Sequence, residues 1–235
     1  MPSLFHPSSS RGFRNHDWLQ TAHSFSFANY WDPNKMGFGV LRVLNDDTIG
    51  PGQGFDLHPH RDMEIVTIPL SGTLKHEDNK GNMGVIGPGA VQVMSAGTGI
   101  VHSEFNASET EPVSLLQLWV ETDALDHDPR YEDRKFPNAE KNTLQLLVSP
   151  DGRDGSLMIH QQAFFSLGDF TAGTSSEYGM TNSGNGVYVF VIEGEIEVEG
   201  KTLKKRDALG VWGEKEIDLK FKADSKVLLV EVPME

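Results

Sequence analysis

The chain has 235 residues, enough to bury a substantial core as one large domain or two of ordinary size. Lys and Arg number 20 against 34 Asp and Glu, a formal net charge of −14 that disfavours nucleic-acid backbones and anionic membranes as partners. Cysteine is absent, which excludes disulfide frameworks, thiolate zinc sites and cysteine nucleophiles; any metal must be held by imidazole, carboxylate or water.

The first segment, MPSLFHPSSSRGFRN, lacks an apolar core of signal-peptide length, and no later run approaches a membrane span. A soluble cytoplasmic protein is expected. Short runs of Val, Ile, Leu, Phe and Thr then follow one another, punctuated by Gly and Pro. In the first half they predict strands at 24–27 (SFSF), 39–44 (GVLRVL), 64–70 (EIVTIPL), 91–94 (VQVM) and 115–120 (LLQLWV). In the second half they predict strands at 143–148, 186–192, 195–199, 207–212 and 227–232. Long helical periodicity is missing, and short helical turns are expected only around 15–19 and 124–131. The fold class is therefore all-β, of barrel or sandwich type.

The charged, proline-containing segment 121–142 has no strand pattern and reads as a boundary between two parts. Residues 1–135 and 136–235 are the expected domains. The two parts share a strand–glycine turn–strand outline, visible in 68–94 and 190–212, which suggests an internal duplication. Eight of the nine histidines precede residue 128, and only His160 follows. One copy would carry a site and the other would be scaffold.

The segment GFDLHPHRDMEIV (54–66) sets His58 and His60 one residue apart, so on a strand both project to the same face. A second pair, His102 and Glu104, recurs in SAGTGIVHSEFN with the same spacing. Neighbouring strands inside a barrel would bring three imidazoles and a carboxylate together. That donor set suits Fe, Ni, Cu or Zn and leaves an octahedral ion two open positions. A lone strand histidine is more often a hydrogen-bonded core or surface residue, and an isolated His-x-His matches by chance. The second pair behind a Gly-rich turn moves the balance to a metal. Glu64, four residues after His60, competes with Glu104 as the carboxylate ligand.

Other residues weigh less. His76, in KHEDNKGN, reads as a solvated turn histidine that could line the site's mouth. His23 reads as a hydrogen-bonded core residue bordering the pocket, and His160 as structural. Asp46 and Asp47 offer paired carboxylates, but NDD before GPGQG reads first as a turn. Phe38, Met63 and Met94 fit pocket wall or plain core equally. SAGTG (95–99) would let backbone pass close to the metal.

These residues meet a known pattern. Gly52, His58, His60 and Glu64 resemble the first cupin motif, and Gly99, His102 and Asn106 the second. Gly72 lies one place later than that pattern puts its glycine, and Gly97 stands where proline is usual. HSFSFANYWDP, LRVLNDD, GQGFDLHPHRDMEIVT, VMSAGTGIVHSEFN and PRYEDRKF, in that order, resemble the pirins and bacterial pirin-like proteins more closely. SPDGRDGSLMIHQ extends the likeness into the second half, and the last seventy residues match loosely.

The resemblance implies a bicupin of two jelly-roll-like barrels, with a metal in the first and a degenerate second barrel without one. It implies His58, His60, His102 and Glu104 as ligands, leaving Glu64 outside the coordination. It implies iron, with Ni, Cu, Mn, Co or Zn as alternatives, and quercetin 2,3-dioxygenase activity on a flavonol and dioxygen. Glu104 would be the catalytic base that takes the proton of the flavonol's 3-hydroxyl. A second reading from another class is a metal-containing regulatory protein acting through a protein partner, as eukaryotic pirins do with transcription factors. A third is isomerisation or hydrolysis of another small molecule on the same metal. An open pocket beside the ligands favours an enzyme; a sealed metal favours regulation or structure.

Overall fold

The computed structural model describes residues 2–137 and 139–234. Met1, Asn138 and Glu235, which fall within the expected domain spans, lie outside the described residues. The chain begins with β1 (Ser3–His6), β2 (Gly12–Asn15), β3 (Leu19–His23), β4 (Leu41–Ile49), β5 (Gly54–His60) and β6 (Met63–Ser71). It continues with β7 (Leu74–Asp78), β8 (Met83–Ile86), β9 (Ala90–Ser95), β10 (Ile100–Asn106), β11 (Val113–Glu121) and β12 (Arg130–Lys135). The second half contributes β13 (Leu144–Ser149), β14 (Leu157–Met158), β15 (Phe164–Phe170), β16 (Ser175–Gly179) and β17 (Asn185–Glu193). β18 (Glu195–Val198), β19 (Lys201–Lys204), β20 (Ala208–Trp212), β21 (Glu216–Phe221) and β22 (Ser225–Pro233) complete it.

Four sheets form two barrels. In the first, a seven-stranded sheet, β12-β9-β6-β11-β4-β3-β2, faces a four-stranded one, β5-β10-β7-β8. In the second, β1-β20-β17-β22-β15-β13-β14 faces β16-β21-β18-β19. β1, although first in sequence, pairs antiparallel with β20, Ser3 opposite Val211. At the other end, Val40 N–H donates to the carbonyl of Pro233. Each terminus thus reaches across to the other half. Asp46 adds an ionic tie, bridging Arg11 at 3.2 Å and Arg206 at 2.8 Å.

Where the core sits explains the sequence pattern. In β17 and β22 alternate residues serve two cores. Val187, Val189, Val227 and Leu229 pack inside the second barrel, while Tyr188, Phe190, Leu228 and Val230 join Leu44, Val66, Leu116 and Leu118 of the first half. Burial on both faces is why 186–192 and 227–232 read as apolar runs with little polar interruption. β11 splits differently: Leu116, Leu118 and Val120 enter the shared core, while Gln117 and Trp119 line a cavity in the first barrel.

Four sequence expectations fail here for identifiable reasons. Segment 121–142, expected to be strandless, contains β12, a charged edge strand formed by antiparallel pairing with β9. SFSF forms no strand: Ser24 N–H bonds the Leu44 carbonyl, then the chain departs, with Phe25 packed against His6 and Tyr188. Its alternation does not mark two faces: Phe25 enters the shared core, Ser24 and Ser26 are buried too, and Phe27 lines the cavity in the first barrel. The helical turns expected at 15–19 and 124–131 are replaced by turns with Asp17 and Asp126 at positive φ, the first linking β2 to β3. Helical turns occur instead as short 3₁₀ segments at Ser8–Ser10 and Arg153–Gly155. The NDD turn is also absent, since Asn45, Asp46 and Asp47 lie inside β4.

Candidate metal centre

β5 and β10 run antiparallel as neighbours, with His58 directly opposite His102. Between this pair and the next, Phe55 opposite Glu104, β5 advances three residues while β10 advances two. Such a bulge re-aims side chains. It lets Phe55 and His58, an odd number of residues apart, both face inward. Gly54 makes the close pairing sterically feasible, because a β-carbon there would collide with the Glu104 carbonyl.

The imidazoles of His58, His60 and His102 converge, with ring centres 4.4–4.9 Å apart and one ligand atom from each within 4.8 Å of the others. His58 Nδ1 lies 2.7 Å from the Asp56 carbonyl, so it carries the proton and leaves Nε2 as the lone-pair donor. His60 packs edge-on against Trp119. Burial, reinforced by His58, lowers its pKa to about 4. Burial and the neighbouring imidazoles His58, His60 and His76 lower that of His102 to about 2. Both rings are therefore neutral at pH 7, the state in which imidazole ligates a metal.

Glu104 is buried and follows His102 by two residues on the same inward face. Burial pushes its pKa up to about 7, against hydrogen bonds from the Gln117 amide to its two oxygens at 3.2 and 2.9 Å. With His76 and His102 it forms a second group whose ligand atoms lie within 4.8 Å, so His102 is shared between the two clusters. His102 Nε2 is buried without a hydrogen-bond partner. A divalent cation would satisfy that atom and stabilise the Glu104 carboxylate, and three imidazoles beside a carboxylate match first-row divalent metals.

Glu64 points elsewhere. Its Oε2 accepts a 2.7 Å bond from Ser95 Oγ, its Oε1 is buried without a partner, and burial raises its pKa to about 7. Its hydrogen-bond partner therefore lies on β9, and Glu64 joins neither cluster of candidate ligands. Of the lesser candidates, His23 is buried, bonds Asn45 Oδ1 at 2.7 Å and borders the cavity. His160 stacks on His127 at 4.0 Å. Phe38 and Met94 belong to core clusters, and Met63 packs against the latter's. In SAGTG, the glycine at 97 is required by another contact, since a β-carbon there would collide with the carbonyl of His127.

Beside the histidines lies a cavity of about 290 Å³, walled by Leu19, Phe27, Phe55 and Trp119 and edged by Thr21, Asn45, Asp47 and Gln117. His58, His60 and Glu104 open onto it. Two residues discounted in the sequence matter here. Asp47 is buried with Oδ1 unpartnered, and burial raises its pKa to about 7. His76 is fully buried on β7, not solvated in a turn. Its signal was strand parity: in LKHED, His76 falls on the same face as Leu74, and Lys75 is exposed. Asp47 carried a weaker one, the alternation of Val43, Asn45 and Asp47 with Leu44 and Asp46.

Comparison with known proteins agrees with this architecture. Residues 5–120 match the pirin family model, and 146–232 match the quercetinase C-terminal cupin domain. The chain is 43% identical over 226 residues to quercetin 2,3-dioxygenase of Escherichia coli (strain K12), covering 96% of each chain. It is 37% identical over 227 residues to a pirin-like protein of Caulobacter vibrioides, covering 96% of this chain and 97% of that one. Among solved structures, the Escherichia coli bacterial pirin YhhW in complex with nickel(II) superposes with a TM-score of 0.94 at 42% identity, covering 99% of each chain. Matched along almost its whole length at such identity, and built of two cupin-type barrels, the chain belongs to the pirin family.

Proposed function

We propose that this chain is a metal-dependent quercetin 2,3-dioxygenase, cleaving flavonols with dioxygen and releasing carbon monoxide. His58, His60, His102 and Glu104 would hold the ion, and Glu104 would also be the catalytic base. The observation that carries the reading is the convergence of His58, His60 and His102, with His102 also grouped with Glu104, beside an apolar-walled cavity of about 290 Å³ onto which His58, His60 and Glu104 open. That volume lies at the low end for small-molecule pockets, about 300–1,000 Å³. A site open to such a cavity favours catalysis over a sealed regulatory metal. The names of the Escherichia coli relative and of its nickel complex support the reaction and a divalent ion. Iron is our assignment within that class; Ni, Cu, Mn, Co and Zn accept the same donors.

When bound, the cation supplies Lewis acidity that favours ionisation of the flavonol's 3-hydroxyl. The chain's own groups do the rest. Glu104 accepts the hydroxyl proton, oriented by the Gln117 amide. Phe27, Phe55 and Trp119 flank the aromatic rings and exclude water. The same reading assigns the metal to a domain of residues 1–135, leaves 136–235 without one, and sets the protein in the cytoplasm. No helix among the described residues is long and apolar enough to cross a membrane.

The test is carbon monoxide release from quercetin by fully metallated protein, beside His58→Ala and His102→Ala. Release should require the metal, oxygen and a free 3-hydroxyl, and should vanish in both variants. Release no faster than that of free metal in buffer would overturn the enzyme reading.

A further inference from the structure

His76 stands outside the four ligands of the proposed centre, yet it is fully buried beside them. It lies on β7, opposite Glu104 in register with β10, while Asp78 lies opposite His102. The two nitrogens of His102 have different surroundings. Nδ1 is 3.1 Å from His76 Nδ1; Nε2 is buried and unpartnered. A nitrogen that ligates a metal gives up its proton, so a metal on Nε2 fixes the His102 proton on Nδ1. That N–H then donates to His76 Nδ1, which must be unprotonated to accept. The His76 proton consequently resides on Nε2, which faces Asp78 Oδ2 at 3.5 Å.

Asp78 is built to receive it. Its carboxylate accepts backbone N–H groups from Lys80 and Asn82 at 2.8 and 2.9 Å and the Asn82 side-chain amide at 2.9 Å. The plane of His76 is set as well: Tyr131 stacks on it at 4.6 Å and 25°, and the Gln92 amide lies 3.5 Å from Nδ1.

We propose that His76 is a positioning residue for the metal centre: the chain Asp78–His76–His102 fixes the tautomer and direction of His102 and strengthens it as a ligand. The proposal rests on the reading of His102 as a ligand. Its rival is His76 as a ligand itself, since His76, His102 and Glu104 also cluster. Ligation through both Nδ1 atoms would leave His102 Nε2 buried without a partner and would exclude His58 and His60, so the hydrogen-bonded chain is favoured.

The experiment uses the full chain, stripped of metal and titrated with cobalt(II), whose visible spectrum reports ligand geometry. Outer partners of metal-binding histidines are typically worth 10–100-fold in affinity. His76→Phe should weaken cobalt binding by about that factor and alter the spectrum. His76→Gln, whose amide oxygen accepts from His102 and whose amide nitrogen donates to Asp78, should recover most of the affinity. Pulsed EPR of copper(II)-loaded protein should count three imidazoles in the wild type and in both variants. Should His76→Phe fail to fold, Asp78→Asn carries the test and should weaken binding in the same direction. Cobalt affinity unchanged in His76→Phe and Asp78→Asn, or a count that drops by one in His76→Gln, overturns the proposal. If His58→Ala loses metal while those variants keep it, only the positioning role falls. A wild type that takes up no cobalt overturns the metal centre itself.

Discussion

Replacing Glu104 by Gln should stabilise the metal-free protein at pH 8 and change it little at pH 4. Glu104 is 3% exposed, and burial raises its pKa from 4.5 to about 7 even with two hydrogen bonds from Gln117. Between those values the unfolded chain has lost the proton while the folded chain retains it. Folding therefore takes up a proton, and stability declines as pH rises from about 4.5 to about 7, then levels off. At about 1.4 kcal/mol per pH unit, the interval corresponds to about 3 kcal/mol against the native state. Glutamine keeps the shape without the charge and removes that penalty.

For a protein of this size each kcal/mol moves Tm by about 2–4 °C, so metal-free Glu104→Gln should melt about 6–12 °C above the wild type at pH 8. Melting curves of chelator-treated proteins between pH 4 and 8 provide the assay. Asp47 and Glu64, also raised to about 7 by burial, should leave the variant with a residual slope of the same sign. Saturating metal should reverse the order, since the carboxylate is then ligated in the wild type alone. A variant that melts below the wild type at pH 8 without metal would refute the reasoning.

Two further outcomes are expected. His58→Ala and His102→Ala should lose the metal by elemental analysis while the metal-free Tm stays within a few degrees of the wild type, because the apolar clusters do not depend on those rings; parallel loss of fold and metal would contradict this. Leu228→Ala, in the core shared by the two halves, should cost about 2–5 kcal/mol and lower one common unfolding transition, whereas two separated transitions in calorimetry would show that the halves do not melt together.

The strands were legible because two different signals agree on them. Apolar runs such as 227–232 are buried on both faces, and Gly or Asp at positive φ punctuates them, as Gly72 and Gly194 do. The pair spacing of His58 with His60 and of His102 with Glu104 translates directly into shared faces. What was not legible depends on pairing. Nothing in Ser3–His6 distinguishes a strand that joins β20 from one that stays beside β2. The bulge that turns Phe55 inward exists only relative to β10. Asp47 and His76 escape the sequence pattern for one reason: polar residues read as solvent-facing, whereas the inner face of this barrel is partly polar. Trp119 and Gln117 were hidden in LLQLWV by the same inversion, where the outward parity is the apolar one.

The two barrels share an architecture and differ in what fills them, and the difference carries an energetic consequence. Inside the second, Val187, Val189, Ile196, Leu203, Leu219 and Phe221 form an apolar core. Inside the first, apolar packing is split between a cluster around Leu19, Ile49, Leu74 and Val113 and a smaller one of Ile65, Met94, Ala96 and Ile100, and between them lie histidines, Asp47, Glu104 and unpartnered polar atoms. Each such atom costs about 1–3 kcal/mol when buried without a partner, so a lone barrel of this composition would be marginal. The outward faces of β4, β6 and β11 answer that deficit by packing against β15, β17 and β22. Strand β1 and the Arg11–Asp46–Arg206 tie fasten the same seam. The second barrel, in which no metal-ligating cluster occurs among the described residues, thus supports the first by supplying the buried area that lets its neighbour keep a polar interior.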